Sequence, residues 1–163
     1  MTHLTLSAVV AASRADLTLV PYRGGAQQAT DLVAGTVEGS ADLPAALMPL
    51  AASGRVKLLG ISSGARLGLL PDVPAFAETP GLQGIDIRSW NMIVAPAATP
   101  EAEVARLHAA IRQVGGAEAF RAALRPFGYD SVVSESPAAA AALVRSETPK
   151  WQRLVRESGA QVN

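Results

Sequence analysis

Val20-Pro21-Tyr22-Arg23-Gly24-Gly25-Ala26 is the stretch on which the reading turns. It follows Leu17-Thr18-Leu19, a β-type run, and it precedes Gln27 to Ala34, which has helical character. A glycine pair between a strand and a helix relaxes the backbone for a tight turn and leaves N–H groups accessible at the helix start. Two readings stand side by side. One is an ordinary turn between a strand and a helix. The other is a seat for an anion, favoured by the helix dipole and flanked by Arg23 for a bidentate carboxylate contact. The stretch lacks the Gly-Lys-Ser/Thr ending of a nucleotide phosphate loop and the G-x-G-x-x-G of a dinucleotide fold.

Working outward, the pattern predicts a helix over His3 to Arg14 with Thr2 as N-cap, and a helix over Ala26 to Ala34 stopped by Gly35. Pro44 opens a third helix running to Ala52. Val37 to Ala41 and Val56 to Ser62 read as strands, the second the clearest buried one. Gly64 to Gly84, with Pro71, Pro74 and Pro80, is an ordered connector carrying a short helix over Ala75 to Glu78. Ile85 to Ile87 and Asn91 to Ala95 are further strand candidates around Trp90. Thr99-Pro100-Glu101 starts a helix that Gly115-Gly116 ends, and a short helix spans Ala117 to Leu124. Tyr129 to Val133 is the last expected strand. Ser136-Pro137 opens a terminal helix that Pro149 is expected to kink or split. Strand, helix, strand, helix, strand is the order of a parallel α/β layer.

Bulk properties exclude several classes. The 163 residues carry zero formal net charge, with 17% charged and 49% hydrophobic residues. That balance is too apolar for a disordered chain. No basic stripe is present to neutralise phosphates, so nucleic acid is not an expected partner. With no cysteine, thiol nucleophiles, zinc fingers and disulfide frameworks fall away. The lack of thiols is compatible with a periplasm. No apolar run reaches the roughly 20 residues of a spanning helix. Leu4 to Ala12 is apolar, but Met1-Thr2-His3 supplies no positive start, so a structural helix is preferred to an export signal and the chain as written is expected in the cytoplasm. His3 and His108 stand alone, the acids are scattered, and no nucleophile elbow or metal motif occurs, so neither enzyme chemistry nor a cofactor is expected. Trp90 is read as lining a cleft or filling the core, and Trp151 as core.

An ordered series of motifs then carries a resemblance. Val20 to Ala26 resembles the VPYKGG motif of the tripartite tricarboxylate (Bug) solute receptors. Asp31-Leu32-Val33-Ala34-Gly35-Thr36-Val37-Glu38, Leu43-Pro44-Ala45-Ala46-Leu47-Met48-Pro49 and Ser53-Gly54-Arg55-Val56-Lys57-Leu58-Leu59 are similar to the family's next three motifs. Leu70-Pro71-Asp72-Val73-Pro74-Ala75-Phe76-Ala77-Glu78, Trp90 to Pro100 and Glu147 to Gly159 follow in the family's order. The chain departs from the family at Gly39-Ser40-Ala41, Leu107-His108 and Gly115-Gly116.

The resemblance implies an α/β fold of the periplasmic-binding-protein type II kind, with a parallel-rich sheet flanked by helices. Residues 1–89 would form the second ligand-binding lobe, and 90–163 the return segment of an incomplete first lobe. It further implies a truncated, non-catalytic receptor for small carboxylates, located in the periplasm and serving membrane transporter subunits. Its ligand contacts would come from Tyr22, Arg23, Gly24, Gly25, Ala26, Asp42, Ser62 and Ser63. A cytosolic ligand-sensing module and a non-binding remnant are the alternatives. Exposed first-lobe surface would invite self-association.

Overall fold

The computed structural model describes residues 1–159; the last residues of the expected return segment, 160–163, lie outside the described residues. Among the described residues six α-helices follow in order: α1 (Thr2–Ser13), α2 (Gly25–Ala34), α3 (Pro44–Ala52), α4 (Glu101–Gly116), α5 (Glu118–Leu124) and α6 (Pro137–Ser158), with 3₁₀ turns at Phe76–Glu78 and Arg125–Phe127. The chain divides into two units: Met1–Ser89 joined by the end of the chain from Leu154, and Trp90–Arg153.

Helix ends follow local chemistry closely. Gly35 stops α2 in the left-handed region (φ 75°), its N–H donating to Leu32 O while Thr36 N–H donates to Asp31 O. Gly54 (φ 71°) ends α3 and Gly128 (φ 71°) ends the 3₁₀ turn after α5 by the same paired bonds. Each satisfies carbonyls that a helix end would otherwise leave open. The N-caps shift by one residue from expectation: Met1 caps α1 in place of Thr2, and Pro100 caps α4 in place of Thr99.

Pro149 does not split α6, which is continuous from Pro137 to Ser158. On the preceding turn Ser146 Oγ donates to Leu143 O at 2.9 Å and Thr148 Oγ1 to Val144 O at 2.7 Å, while Arg145 O is the carbonyl that the proline leaves without its helical N–H.

The expected parallel sheet does not form. Among the described residues β pairing is confined to one isolated parallel bridge, Ile61 with Ala75. Ile61 N–H donates to Pro74 O at 2.9 Å and Phe76 N–H donates to Ile61 O at 2.8 Å. The ladder ends after this rung for two reasons on the same strand. Pro74 has no N–H to donate, and Phe76 already enters a 3₁₀ turn. On its other side the 61–62 segment gains one more bond, Ile87 N–H to Ser62 O at 2.7 Å. The other expected strands, 17–20, 37–41, 91–95 and 129–133, run unpaired, and Ile93 (75% exposed), Val94 (81%) and Val132 (89%) face solvent. β-propensity measures fitness for a half-buried pleated surface; it does not supply the neighbouring strand.

The first unit's core sits at this bridge. Ala75 (0% exposed), Ile85 and Ile87 are the buried apolar side chains among the described residues. The Phe76 ring lies so close to Gly60 that a Cβ there would be 2.9 Å from Phe76 Cε1. In the second unit α4 is tied to the segment after residue 130. Ser131 Oγ donates to Gly115 O at 2.7 Å, Arg112 donates to Glu135 O, and the His108 ring is 2.9 Å from Ser134 O. Gly115 is buried because Val133 and Ser131 occupy the space a Cβ would need.

Candidate functional site

The turn before α2 places its residues unequally. Gly24 is extended (φ −163°, ψ 153°) and caps α2 without any side-chain hydrogen bond, so the helix begins at Gly25 with its first N–H groups open. Gly24, Gly25, Ala26 and the Arg23 side chain are exposed. Tyr22 is half-buried, and its hydroxyl donates to Asp31 Oδ2 at 2.9 Å, one face of α2 away. That bond to an anionic acceptor, followed by desolvation, raises the Tyr22 hydroxyl above its ordinary value of 10.0. Gln27 Nε2 donates to the other Asp31 oxygen at 2.9 Å. Tyr22 thus braces the turn against its own helix, with its proton committed to Asp31.

Asp42 joins this cluster from the segment before α3. Its Oδ1 accepts the N–H of Leu43 at 2.8 Å, which orients the carboxylate. A Cβ built on Gly25 would lie 2.8 Å from Asp42 Oδ2, so the missing side chain of Gly25 is what admits the carboxylate beside the helix start. Gln28 fixes the same segment by donating to Ser40 Oγ at 2.7 Å and to Ala41 O at 2.9 Å. Residues 22–26 and Asp42 are therefore brought together.

Ser62 and Ser63 belong to a different arrangement. Ser62 Oγ donates to Ile87 O at 2.8 Å, and Ser63 Oγ donates to Ala65 O at 2.5 Å. Their hydrogen bonds hold the loop after the Ile61 bridge, and none runs to residues 22–26 or to Asp42. Gly64 N–H donates to Asp86 Oδ1 at 3.0 Å, and Asp86 pairs with Arg88 at 2.6 Å. Behind this loop Arg66 grips Glu78 through Nε and Nη2, at 2.7 Å for the shortest bond, and donates through Nη1 to Pro71 O. Glu78 in turn accepts the N–H of Ala75 at 2.9 Å. The Arg66 guanidinium first, then the Ala75 N–H, holds the Glu78 carboxyl down to about 2 from its ordinary 4.5. The Leu70–Glu78 tract is thus a brace for the loop that carries Ser62 and Ser63.

Asp31, Gln27 and Gln28 escaped the sequence reading as parts of the turn. Asp31 lies nine residues after Tyr22 inside a quoted motif, and that is the only signal it offered. In the second unit, Glu147 gathers Lys150 Nζ (2.6 Å), Trp151 Nε1 (3.1 Å) and the Trp90 side chain. Burial pushes its carboxyl up, but the hydrogen bonds outweigh burial and hold it below the usual range. Trp151 is half-buried there, whereas Trp90 is 39% exposed.

The backbone is similar to those of several solved structures. Rpa4515 of R. palustris with adipate superposes with a TM-score of 0.79 at 27% identity, covering 97% of this chain and 52% of that one. The periplasmic binding protein BugD gives 0.75 at 26% identity over 98% of this chain and 54% of its own. MatC from Rhodopseudomonas palustris with bound malate gives 0.72 at 29% identity, over 95% and 53%. The chain belongs to the tripartite tricarboxylate transporter family receptors, the TctC family, which it matches over residues 1–160. A protein from the tcbD-tcbE intergenic region of Pseudomonas sp. (strain P51) is 35% identical over 99% of this chain and 48% of its own length. BugT of Bordetella pertussis is 26% identical over 98% of this chain and 48% of its own. The chain spans about half the length of these relatives, and 90% of a 28% identical protein from the clcB-clcD intergenic region of Pseudomonas knackmussii. Among the described residues no helix is long and apolar enough to cross a membrane.

Proposed function

We propose that this chain is a non-catalytic receptor module for small carboxylates, seating the anion at the turn of residues 22–26. The observation that carries the reading is the likeness to two receptors with adipate and malate, at TM-scores of 0.79 and 0.72. The open N–H groups at the start of α2, with exposed Arg23 beside them, are the complementary chemistry. Delivery of the ligand to membrane transporter subunits, and residence in the periplasm, are part of the same proposal and rest on the family. So does the assignment of residues 1–89 to one lobe and 90–163 to the return segment of another. Exposed Ile93, Val94 and Val132 support self-association as a further property.

Thermal-shift screening of the chain against mono- and dicarboxylates tests the core of this reading. A saturable rise in melting temperature with at least one acid, weakened in Arg23→Ala, is expected. No shift across the whole panel overturns it.

A further inference from the structure

The second unit holds a cavity of about 380 Å³ whose walls carry Arg121, Arg125, Tyr129, Asp130, Ser131 and Val132. Local geometry brings these residues together. Arg121 and Arg125 stand one turn apart, in α5 and in the 3₁₀ turn that follows it. Gly128 then turns the chain. Tyr129 N–H donates to Leu124 O at 3.4 Å and Ser131 Oγ donates to Gly115 O at 2.7 Å, so residues 129–131 are held against the ends of α4 and α5.

The charges on the walls are unevenly used. Arg125 Nη2 donates to Glu118 Oε1 at 2.8 Å. Arg121 and Asp130 line the same cavity, yet among the described residues neither forms an ion pair, with the other or with a third group. A bare anion would suit Arg121 but would meet the like charge of Asp130, and a bare cation would meet the guanidinium groups. A small zwitterion answers both charges at once. Half-buried Tyr129 and exposed Val132 supply apolar wall beside them. The volume lies in the range of small-molecule sites.

We infer that this cavity is a second ligand site and takes an apolar α-amino acid. The carboxylate of the ligand accepts from Arg121, its ammonium donates to Asp130, and its side chain lies against Tyr129 and Val132. The site uses none of the residues of the turn at 22–26.

Calorimetric titration of the chain and of its Arg23→Ala variant with leucine, isocaproate and isoamylamine tests this, because isocaproate lacks the ammonium and isoamylamine the carboxylate. In both proteins leucine is expected to bind at least about tenfold tighter than either analogue. Arg121→Gln and Asp130→Asn are each expected to weaken leucine at least about tenfold. Asp130→Asn is also expected to bring isocaproate and leucine towards equal affinity. Both side chains are exposed, so neither variant empties a packed position, and each carries the test independently of the other. No leucine binding, equal affinities for the three compounds, or leucine binding unmoved in both variants overturns this inference and leaves the carboxylate-receptor reading standing. Leucine binding abolished by Arg23→Ala overturns it as well, because the amino acid would then occupy the turn at 22–26.

Discussion

The hydroxyl of Tyr22 donates to Asp31 Oδ2 at 2.9 Å, so the turn that opens α2 is tied to the last turn of the same helix. Asp31 also supplies the carbonyl that accepts Thr36 N–H beyond the helix end. One residue therefore anchors both ends of α2.

This bond has a titration signature. The Tyr22 hydroxyl is raised above 10.0 by Asp31. A group whose folded pKa is raised contributes stability below its unfolded pKa and loses it as pH rises through the folded value. In a Tyr129→Phe background Tyr22 is the single remaining tyrosine. Tyrosinate absorbance is expected to titrate above the ordinary value there, and Asp31→Asn to bring it down. An unchanged titration in Asp31→Asn would contradict the bond.

The Arg66–Glu78 brace acts at the other end of the pH scale. Glu78 falls from 4.5 to about 2, so its contribution is fully present above 4.5 and is lost as pH falls through about 2. Denaturant midpoints measured from neutral pH downward are expected to drop over that window. Glu78→Gln is expected to flatten that part of the curve. Both side chains are nearly half exposed, at 46% and 42%, so the effect is modest and weakens further in high salt.

Adjacent glycines at the end of α4 are expected to respond in opposite ways. Gly115→Ala drives a methyl into Val133 and the Ser131 hydroxyl, an overpacking of about 1–3 kcal/mol. Gly116 has nothing within 4 Å of a Cβ, so Gly116→Ala is expected to gain up to about 0.5–1 kcal/mol from helix propensity. Chemical denaturation of the two variants checks the contrast.

Ile93, Val94 and Val132 present exposed apolar surface in the second unit. The chain is expected to enhance the fluorescence of a hydrophobic dye and to sediment with a concentration-dependent mass. Ile93→Lys combined with Val132→Lys is expected to lower both. Undiminished dye binding in that variant would place the apolar surface elsewhere.

The helices were legible because their signals are local. Gly35 after Ala34, Pro44 at the first turn of α3 and acids after Pro100 each fix an end within a residue. The strands were not, because a strand is a relation between two segments. Val56 to Ser62 reads as a buried strand, yet only its last two residues find bonds, to 74–76 and to 87. The site was legible as a backbone motif and less so as side chains. Tyr22, Ser62 and Ser63 look like ligand groups in a motif, but their hydroxyl protons go to Asp31, Ile87 and Ala65. The approach of Asp42 to Gly25, seventeen positions earlier, leaves no periodic trace in the sequence.

The Ile61–Ala75 bridge joins residues only fourteen positions apart, and Ser62 reaches Ile87 across twenty-five. Closing so short a loop takes on the order of 100 ns, and its entropic cost is small. The buried core of the first unit is thus built on contacts close in sequence, which makes this segment a natural folding nucleus. The amides of Ile61, Phe76 and Ile87 are then expected to be the last of the unit to exchange with solvent deuterium, while the exposed turn at residues 23–26 opens early.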